Sequence, residues 1–476
     1  MNAPSNLIRQ VLHLEPGKLN LIALIGLCIV AGVGVGLASA FVNPLILLAV
    51  VLVLAIGAWA LLDDERGIWI TIAIIALLPR FAAPVKLVLT PTFLDLALIL
   101  LIVSWFVRAS NHPLRLRDMP IAIPLLGLIV VAVATFIFGL PNGALTPLVL
   151  RRFTEMVVSL SLVYVLVAIM QSRQAVERAM QVLILTGGLA AMLGVALYVM
   201  PRDLAIRLLS ALRPFGYPTG PTVLHFVNDD PTLMQRATGL WIDPNAFGGF
   251  LLVCGALTLP QLFTRKPVLP RWVTIVSAGL ISLALVFTLS RGAMLGLLCV
   301  AVLLGILRYR RILLLAVIVV ALILLLPQTR DLVTRFAQGF AGADLATQMR
   351  FGEYKDAFRL ISRYPLLGVG FASTPDVDLY IGVSNMYLLV TQQMGLLGLG
   401  AFIITLAALY GSAIRASARI WADERMSAIW LGALGAVSGA LISGMFDHYF
   451  FNIDFQNSVM LLWLVIALTV SCQLVA

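Results

Sequence analysis

Ionisable side chains are scarce in this chain of 476 residues: Asp, Glu, Lys and Arg together make up 11%. Cysteine is scarcer still, with four residues (Cys28, Cys254, Cys299 and Cys472), each inside an apolar run, which excludes a disulfide framework. Histidine also occurs four times, with no H-x-x-x-H or C-x-x-C spacing beside it, so no metal site is expected and no cofactor is implied. Long polar tracts are missing except in two places. What fills the sequence instead is hydrocarbon: 61% hydrophobic residues and a mean hydropathy of +1.04. A soluble domain cannot bury that much apolar surface, so lipid is the solvent for much of the chain. The run 19–42 is too long for the core of a signal peptide, so it is expected to remain as a first span.

A spanning helix needs about 20 apolar residues. On that basis helices are expected near 19–42, 45–62, 68–79, 92–108, 120–140, 150–170, 179–200, 246–263, 272–289, 292–307, 312–327, 385–414, 427–445 and 456–475. Pro79 and Pro84 interrupt the third, which is short enough to be kinked or re-entrant. The fold class is therefore all-α, a single integral membrane bundle of about 12–14 spanning helices. Connections alternate in character. One set is short and basic, as in Arg108–Arg117, Arg173–Arg178, Arg265–Arg271, Arg308–Arg311 and Arg415–Arg425; with Arg9, Lys18 and Arg66 it holds 17 of the 32 Lys and Arg residues. The other set holds 15, ten of them in two long segments that the positive-inside rule ignores. Both termini are therefore expected in the cytoplasm.

The two long segments, 201–245 and 328–384, lie on the outer side. Leu204, Leu208 and Leu212 form a stripe suited to a helix on the membrane surface, with Arg202 and Arg207 on its other faces. Phe351, Tyr354, Phe358 and Ile361 recur at helical spacing ahead of Pro365 and predict an apolar helix face. Thirteen of the 15 outer cations are Arg, whose planar fork matches phosphate oxygens. Within the spans, titratable residues (Asp95, Arg151, Arg152, Glu155, Arg291 and Asp447) lie near outer ends. A charge in hydrocarbon costs about 2.5–3.5 kcal/mol, so each needs a partner or a wet cavity. Arg152 and Glu155, three residues apart, are expected to pair. An alternating-access transporter would place polar groups at mid-depth on broken helices, and neither is legible here. The net charge of +10 is divided between both faces, which excludes nucleic acid as a partner. The pattern fits an enzyme handling an anionic, lipid-bound head group at the outer surface.

Four segments carry the chemistry. They are Arg236-Ala-Thr-Gly239-Leu-Trp-Ile-Asp243-Pro244-Asn245, Thr288-Leu-Ser290-Arg291-Gly292, the run Arg350–Gly370 (RFGEYKDAFRLISRYPLLGVG), and Ser384-Asn385-Met-Tyr-Leu followed by Gln392-Gln393-Met-Gly395. Gly292 is expected to tighten the turn that presents Arg291. In this order the segments, within roughly 200–450, resemble the O-antigen ligase and polymerase superfamily, with its S-R-G turn, its R…P-L-x-G-x-G outer loop and its H-N-x-x-L…G segment. The resemblance implies a glycosyltransferase in the bacterial inner membrane with its active site facing the periplasm. The donor would be a glycan on undecaprenyl pyrophosphate, the acceptor a hydroxyl of a glycan or lipid, and no metal would take part. Arg291 and Arg350 match the family's functional arginines, and Glu353 is a candidate base on the outer face alongside Asp376, Asp378, Asp447 and His448. Arg151, Arg152, Arg236, Asp243, Asn245, Ser384, Asn385, Asp447 and His448 are expected around the substrate. Ser384 stands where the ligases carry His, which favours a polymerase-like relative, because a serine hydroxyl is no general base at neutral pH. Tyr449, Phe450 and Phe451 suggest an aromatic interface belt. Two other functions remain open: a peptidoglycan-type polymerase of the shape and division family, relying on an outer-loop carboxylate such as Asp376 or Asp378, and a flippase for lipid-linked glycan.

Overall fold

A computed structural model describes residues 55–60, 63–83, 90–107, 119–325, 330–374, 378–379 and 382–476. The chain divides into 1–62 and Asp63–Ala476; in the first part only the short helical stretch 55–60 is described. The expected helices at 19–42 and 45–62 therefore lie outside the described residues except for that stretch, as do His13, His112, the basic run 108–117 and Asp376.

The larger unit is a helical bundle. Its helices are α1 (Asp64–Leu77), α2 (Phe93–Val107), α3 (Ala122–Gly139), α4 (Pro147–Ile169), α5 (Arg173–Val199), α6 (Arg202–Ser210), α7 (Pro244–Phe263), α8 (Arg271–Thr288), α9 (Arg291–Leu307), α10 (Arg310–Leu325), α11 (Arg330–Phe340), α12 (Leu345–Arg363), α13 (Met386–Trp421), α14 (Glu424–Ser443) and α15 (Gln456–Val475). Eight helices among the described residues are long and apolar enough to cross a membrane, with α2 and α9 shorter. The protein is thus an all-α, multi-pass membrane protein. The sequence sets many starts: Thr146, Ser172, Asp243, Asn385 and Asp423 each accept backbone N–H bonds as N-caps. α1 stops just before Pro79, as its sequence predicts.

Burial separates core from periphery. The most apolar windows of α15, α7 and α14 are 89%, 83% and 78% buried, whereas those of α3, α8 and α13 are 33% buried and leave apolar faces for lipid. The centre is closely packed: Gly439 on α14 faces Gly296 on α9, and Gly432 lies against the Leu257 carbonyl of α7. Small residues of this kind let helices approach where lipid removes the usual hydrophobic drive between them.

Polar contacts concentrate at the two ends of the bundle. At one end Arg173 pairs with Asp423, Arg178 with Glu65 and Arg425 with Glu177, while Arg308 lies over the Trp421 ring. The other end carries the two long segments. Within 201–245, Ala205 and Leu209 of α6 are buried while Leu204 and Leu208 are exposed, as a surface-lying helix requires. Arg202 is engaged locally, over the Phe226 ring at 5.0 Å. A two-residue hairpin, β1 (His225–Phe226) with β2 (Gln235–Arg236), closes this segment.

Several details depart from the sequence expectations. α12 forms, but its buried residues are Ala357 and Leu360, with Phe351 and Phe358 exposed. The packed face is rotated because small Ala357 lets the helix settle against Val383 and Leu389. Tyr449, Phe450 and Phe451 are no interface belt: all three are at most 2% exposed, and the Tyr449 hydroxyl hydrogen-bonds Ser443 Oγ at 2.7 Å.

A further departure is a broken helix. α13 is interrupted at Gly395, with φ 64° and ψ −170°, a conformation essentially confined to glycine. The Gln392 and Gln393 carbonyls accept hydrogen bonds from Val369 and Gly370 N–H (2.9 and 3.0 Å). Across the break, Leu396 and Leu397 donate to the Pro365 and Leu366 carbonyls (2.8 and 3.3 Å). The P-L-L-G-V-G stretch thus supplies the backbone partners that the interrupted helix lacks, as an apolar setting demands. Gly368, at φ 67°, is required for this approach, because a Cβ there would meet the Gln392 and Gln393 backbone. Below the break, 396–421 remains long enough to span alone.

Candidate functional site

The turn between α8 and α9 presents Arg291. Its left-handed residue is Leu289 (φ 54°), and Gly292 lies within the helical first turn of α9. The expectation that Gly292 shapes the turn is therefore corrected. Its lack of a side chain instead admits Phe446, since an added Cβ would come within 3.0 Å of that residue.

Arg291 donates from Nη2 to Asp344 Oδ2 at 2.7 Å and from Nη1 to the Arg335 carbonyl at 3.0 Å. The two charged side chains are 15% and 18% exposed. Asp344 is the N-cap residue of α12 and Arg335 belongs to α11, so one guanidinium ties both loop helices to the bundle. Partial burial opposes ionisation of Asp344, yet hydrogen bonds from Arg291 and Thr347 hold its carboxyl below the usual value. Arg291 and Arg350 line a shared cavity of about 210 Å³, with Thr347, Tyr354, Phe336 and Phe446 among its other walls. Among the described residues the walls contain two guanidinium groups and no carboxylate. Arg350 makes no ion pair or hydrogen bond among the described residues, so its charge is available. Glu353, three residues on, instead accepts the Ser384 N–H at 2.8 Å.

Glu353 thereby connects α12 to the start of α13. Tyr354 adds to this connection through its hydroxyl, near the Ser384 and Met445 carbonyls, both at 3.4 Å. Asn385 caps α13, accepting from Tyr387 and Leu388 N–H at 3.0 Å each, and donates from Nδ2 to the Met445 carbonyl at 3.0 Å. Ser384 and Asn385 thus position the 444–447 turn beside the cavity.

Arg236 approaches from the hairpin. It donates to the Thr288 carbonyl at 2.8 Å and to Asn245 Oδ1 at 2.5 Å, while Ala237 N–H bonds the Phe287 carbonyl. Burial lowers its pKa to about 10, so it remains charged at neutral pH. Asp243 caps α7 through Oδ1, accepting from Asn245 and Ala246 N–H. Asp447 lies within electrostatic reach of Arg236, Asp243 and Arg350. Burial pushes its carboxyl above the ordinary range, helped by Asp243 and opposed by His448 and Arg350. His448 Nδ1 meets Asn452 Nδ2 at 3.1 Å.

Arg151 and Arg152 belong to a second cavity. Arg151 is held by Glu155 (2.6 Å), Asp95 (2.8 Å) and the Thr90 carbonyl (2.5 Å). Arg152 pairs with Asp454, so the expected Arg152–Glu155 pair is corrected: Glu155 lies one helical turn from Arg151 and takes that partner.

Arg335 was not singled out from the sequence. One of its guanidinium nitrogens is buried without a partner, and burial, then Arg291, lowers its pKa. Its place in the amphipathic run of α11 beside other Arg residues gave no distinguishing signal.

A family model described as O-antigen ligase matches residues 276–403. The match runs from α8 to the middle of α13 and contains Arg291, Arg350, Glu353, Ser384 and Asn385; the Arg236–Asn245 segment and Asp447 lie outside it. It supports the O-antigen ligase superfamily and an O-antigen ligase-type membrane enzyme. None of the curated proteins matches the chain.

Proposed function

We propose that the chain is a polymerase-like glycosyltransferase of the O-antigen ligase type, transferring glycan from undecaprenyl pyrophosphate to an acceptor hydroxyl. The reaction takes place at the outer face of the bacterial inner membrane, with both termini in the cytoplasm. The observation that carries this proposal is the joining of Arg291 and Arg350 in one cavity whose walls, among the described residues, hold no carboxylate.

A guanidinium has five N–H donors. Arg291 spends two on Asp344 and the Arg335 carbonyl, which leaves the rest for a ligand while its plane is fixed. Arg350 adds a second fork, without an ion-pair partner among the described residues. As the bond between sugar and pyrophosphate breaks, negative charge grows on the departing diphosphate, and pre-oriented donors stabilise that change without reorganising. The apolar groove between α8, α9 and α10 shares Leu295 and Phe336 with this cavity, which suits a head group attached to a hydrocarbon tail.

The acceptor hydroxyl must lose a proton. Asp447 is our candidate base, since a carboxylate with a raised pKa is a better proton acceptor than an ordinary one. Ser384 stands where the ligases place His, and its backbone is held by Glu353. In this scheme Glu353 is a positioning residue, and His448 steadies the turn that carries Asp447.

The test is incubation of purified protein with a lipid-linked oligosaccharide, followed by product sizing and measurement of released undecaprenyl pyrophosphate. Longer glycan with released lipid pyrophosphate is expected. Glycan crossing a proteoliposome bilayer with no lipid pyrophosphate released would instead identify a flippase. Activity that survives Arg291→Ala but is lost in Asp378→Asn would identify a peptidoglycan-type polymerase.

A further inference from the structure

The arginine cavity presents charge of one sign at close range. Among the described residues its walls hold Arg291 and Arg350 and no carboxylate, and Asp344, which offsets part of the Arg291 charge, is not one of those walls. Arg291 is 15% exposed, so solvent screens it only in part. With two bonds spent on Asp344 and the Arg335 carbonyl, it keeps three of its five N–H donors. Arg350 makes no hydrogen bond among the described residues and keeps its whole fork.

Such a site meets two different diphosphates in one catalytic cycle. In the sugar-linked donor both phosphoryl groups are esterified, one to the lipid and one to the sugar, and each has a single ionisable oxygen. In transfer, the acceptor oxygen bonds to the anomeric carbon, the bond from that carbon to the phosphate oxygen breaks, and the acceptor proton passes to the base. The freed oxygen stays on the terminal phosphoryl group and is a second ionisable site there, with a pKa of about 6. Released lipid pyrophosphate therefore carries about one more negative charge than the donor at neutral pH, and one more acceptor for the forks. Pre-orientation acts in the same sense. Donors aimed at charge that grows on a leaving group meet the full charge only after the bond has broken.

We infer that the arginine cavity selects a terminal pyrophosphate over an esterified one, so that it retains its own lipid product and turnover is slowed by product departure. This rests on the glycosyl transfer proposed above. Hydrolysis is the class of reaction that would relieve the retention. Water adds to the terminal phosphorus, the bridging P–O bond breaks, and lipid monophosphate and inorganic phosphate result, leaving one phosphoryl group for two forks.

The test uses the full chain in phosphatidylcholine nanodiscs with two probes, undecaprenyl pyrophosphate and its terminal methyl ester. The ester has the donor's charge and no sugar to transfer, so binding is read without turnover. At pH 7.5 the pyrophosphate should bind about tenfold more tightly, the effect of one further bond between charged groups. At pH 5 its terminal group is mostly protonated once, and the two lipids should bind within about twofold of each other. Titratable and charged groups of the protein reach the cavity from several elements: Asp344, Glu353 and Tyr354 at α12, Arg335 on α11, and Asp447 and His448 in the turn after α14. Each of these that titrates becomes more negative as pH rises, which weakens anion binding, so none of them can produce the expected gain. Arg350→Gln should cut the preference at pH 7.5 to about twofold, and Arg350→Lys, which keeps the charge, should retain most of it. With lipid-linked oligosaccharide as substrate, transfer should slow as undecaprenyl pyrophosphate accumulates, and an added phosphohydrolase should restore the initial rate. Equal affinities at pH 7.5, a preference that persists unchanged at pH 5, or a rate indifferent to accumulated product would overturn this inference alone. Binding of neither lipid would overturn the diphosphate site proposed above as well.

Discussion

Replacing Arg291 by Lys keeps the charge and removes the fork. In the structure the guanidinium bridges Asp344 Oδ2 and the Arg335 carbonyl, 2.7 and 3.0 Å away. An ammonium can stay with Asp344 but cannot span both partners in one plane. One bond to a charged group is lost, which costs about 1.5–3 kcal/mol of stability where water is largely excluded. The effect on turnover should be larger. Losing a pre-oriented transition-state donor costs about 3–4 kcal/mol, equivalent to a 10²–10³-fold fall in kcat. The assay is released lipid pyrophosphate under saturating donor, with thermal unfolding measured on the same preparation. If Arg291 only staples α11 and α12 to the bundle, turnover will fall no further than the folded fraction does. A folded Lys variant turning over at the wild-type rate would refute a direct role for the guanidinium.

Arg350→Gln should give the opposite balance: an unchanged melting temperature, because Arg350 has no ion-pair partner among the described residues, with a turnover loss of about 10²-fold or more. Asp447→Asn should abolish the limb of the pH–rate profile on which wild-type activity falls as pH decreases through a value above the ordinary aspartate pKa of about 4. Since the folded state holds the Asp447 proton more tightly than the unfolded chain does, wild-type stability should decline as pH rises through that raised value. The Asn variant should lack this decline, which melting at pH 5 and pH 8 would reveal. Gly395→Ala should destabilise by more than about 1–3 kcal/mol, because strain at a glycine-only conformation is joined by collision with the Leu366 carbonyl; an unchanged unfolding temperature would argue against the helix break.

Much of the bundle was legible because lipid imposes a simple rule of length and hydropathy. The pairing of Arg291 with Asp344 was not legible. It joins residues 53 positions apart across a loop, and local spacing contains no information about such a contact. Glu155 shows the same limit at short range: Arg151 and Arg152 both lie within helical reach, and the choice was made by Asp454 from the far end of the sequence. α12 was found by its aromatic spacing, yet Ala357, the small residue that seats it, gave no hydropathy signal. The motif glycines could be quoted as a pattern but not explained, because Gly368 and Gly395 act on each other's strands of backbone.

That mutual dependence has a consequence for exchanging parts between relatives. The clasp joining 364–370 to 392–397 consists of main-chain hydrogen bonds, so Leu366 and Leu367 can drift in identity while the two stretches cannot drift in register. A graft that imports a foreign outer loop to change specificity should carry both stretches as one cassette. A loop transplanted without its matching helix break would leave carbonyls stranded in hydrocarbon, and the chimera would be lost at insertion before its chemistry could be assayed.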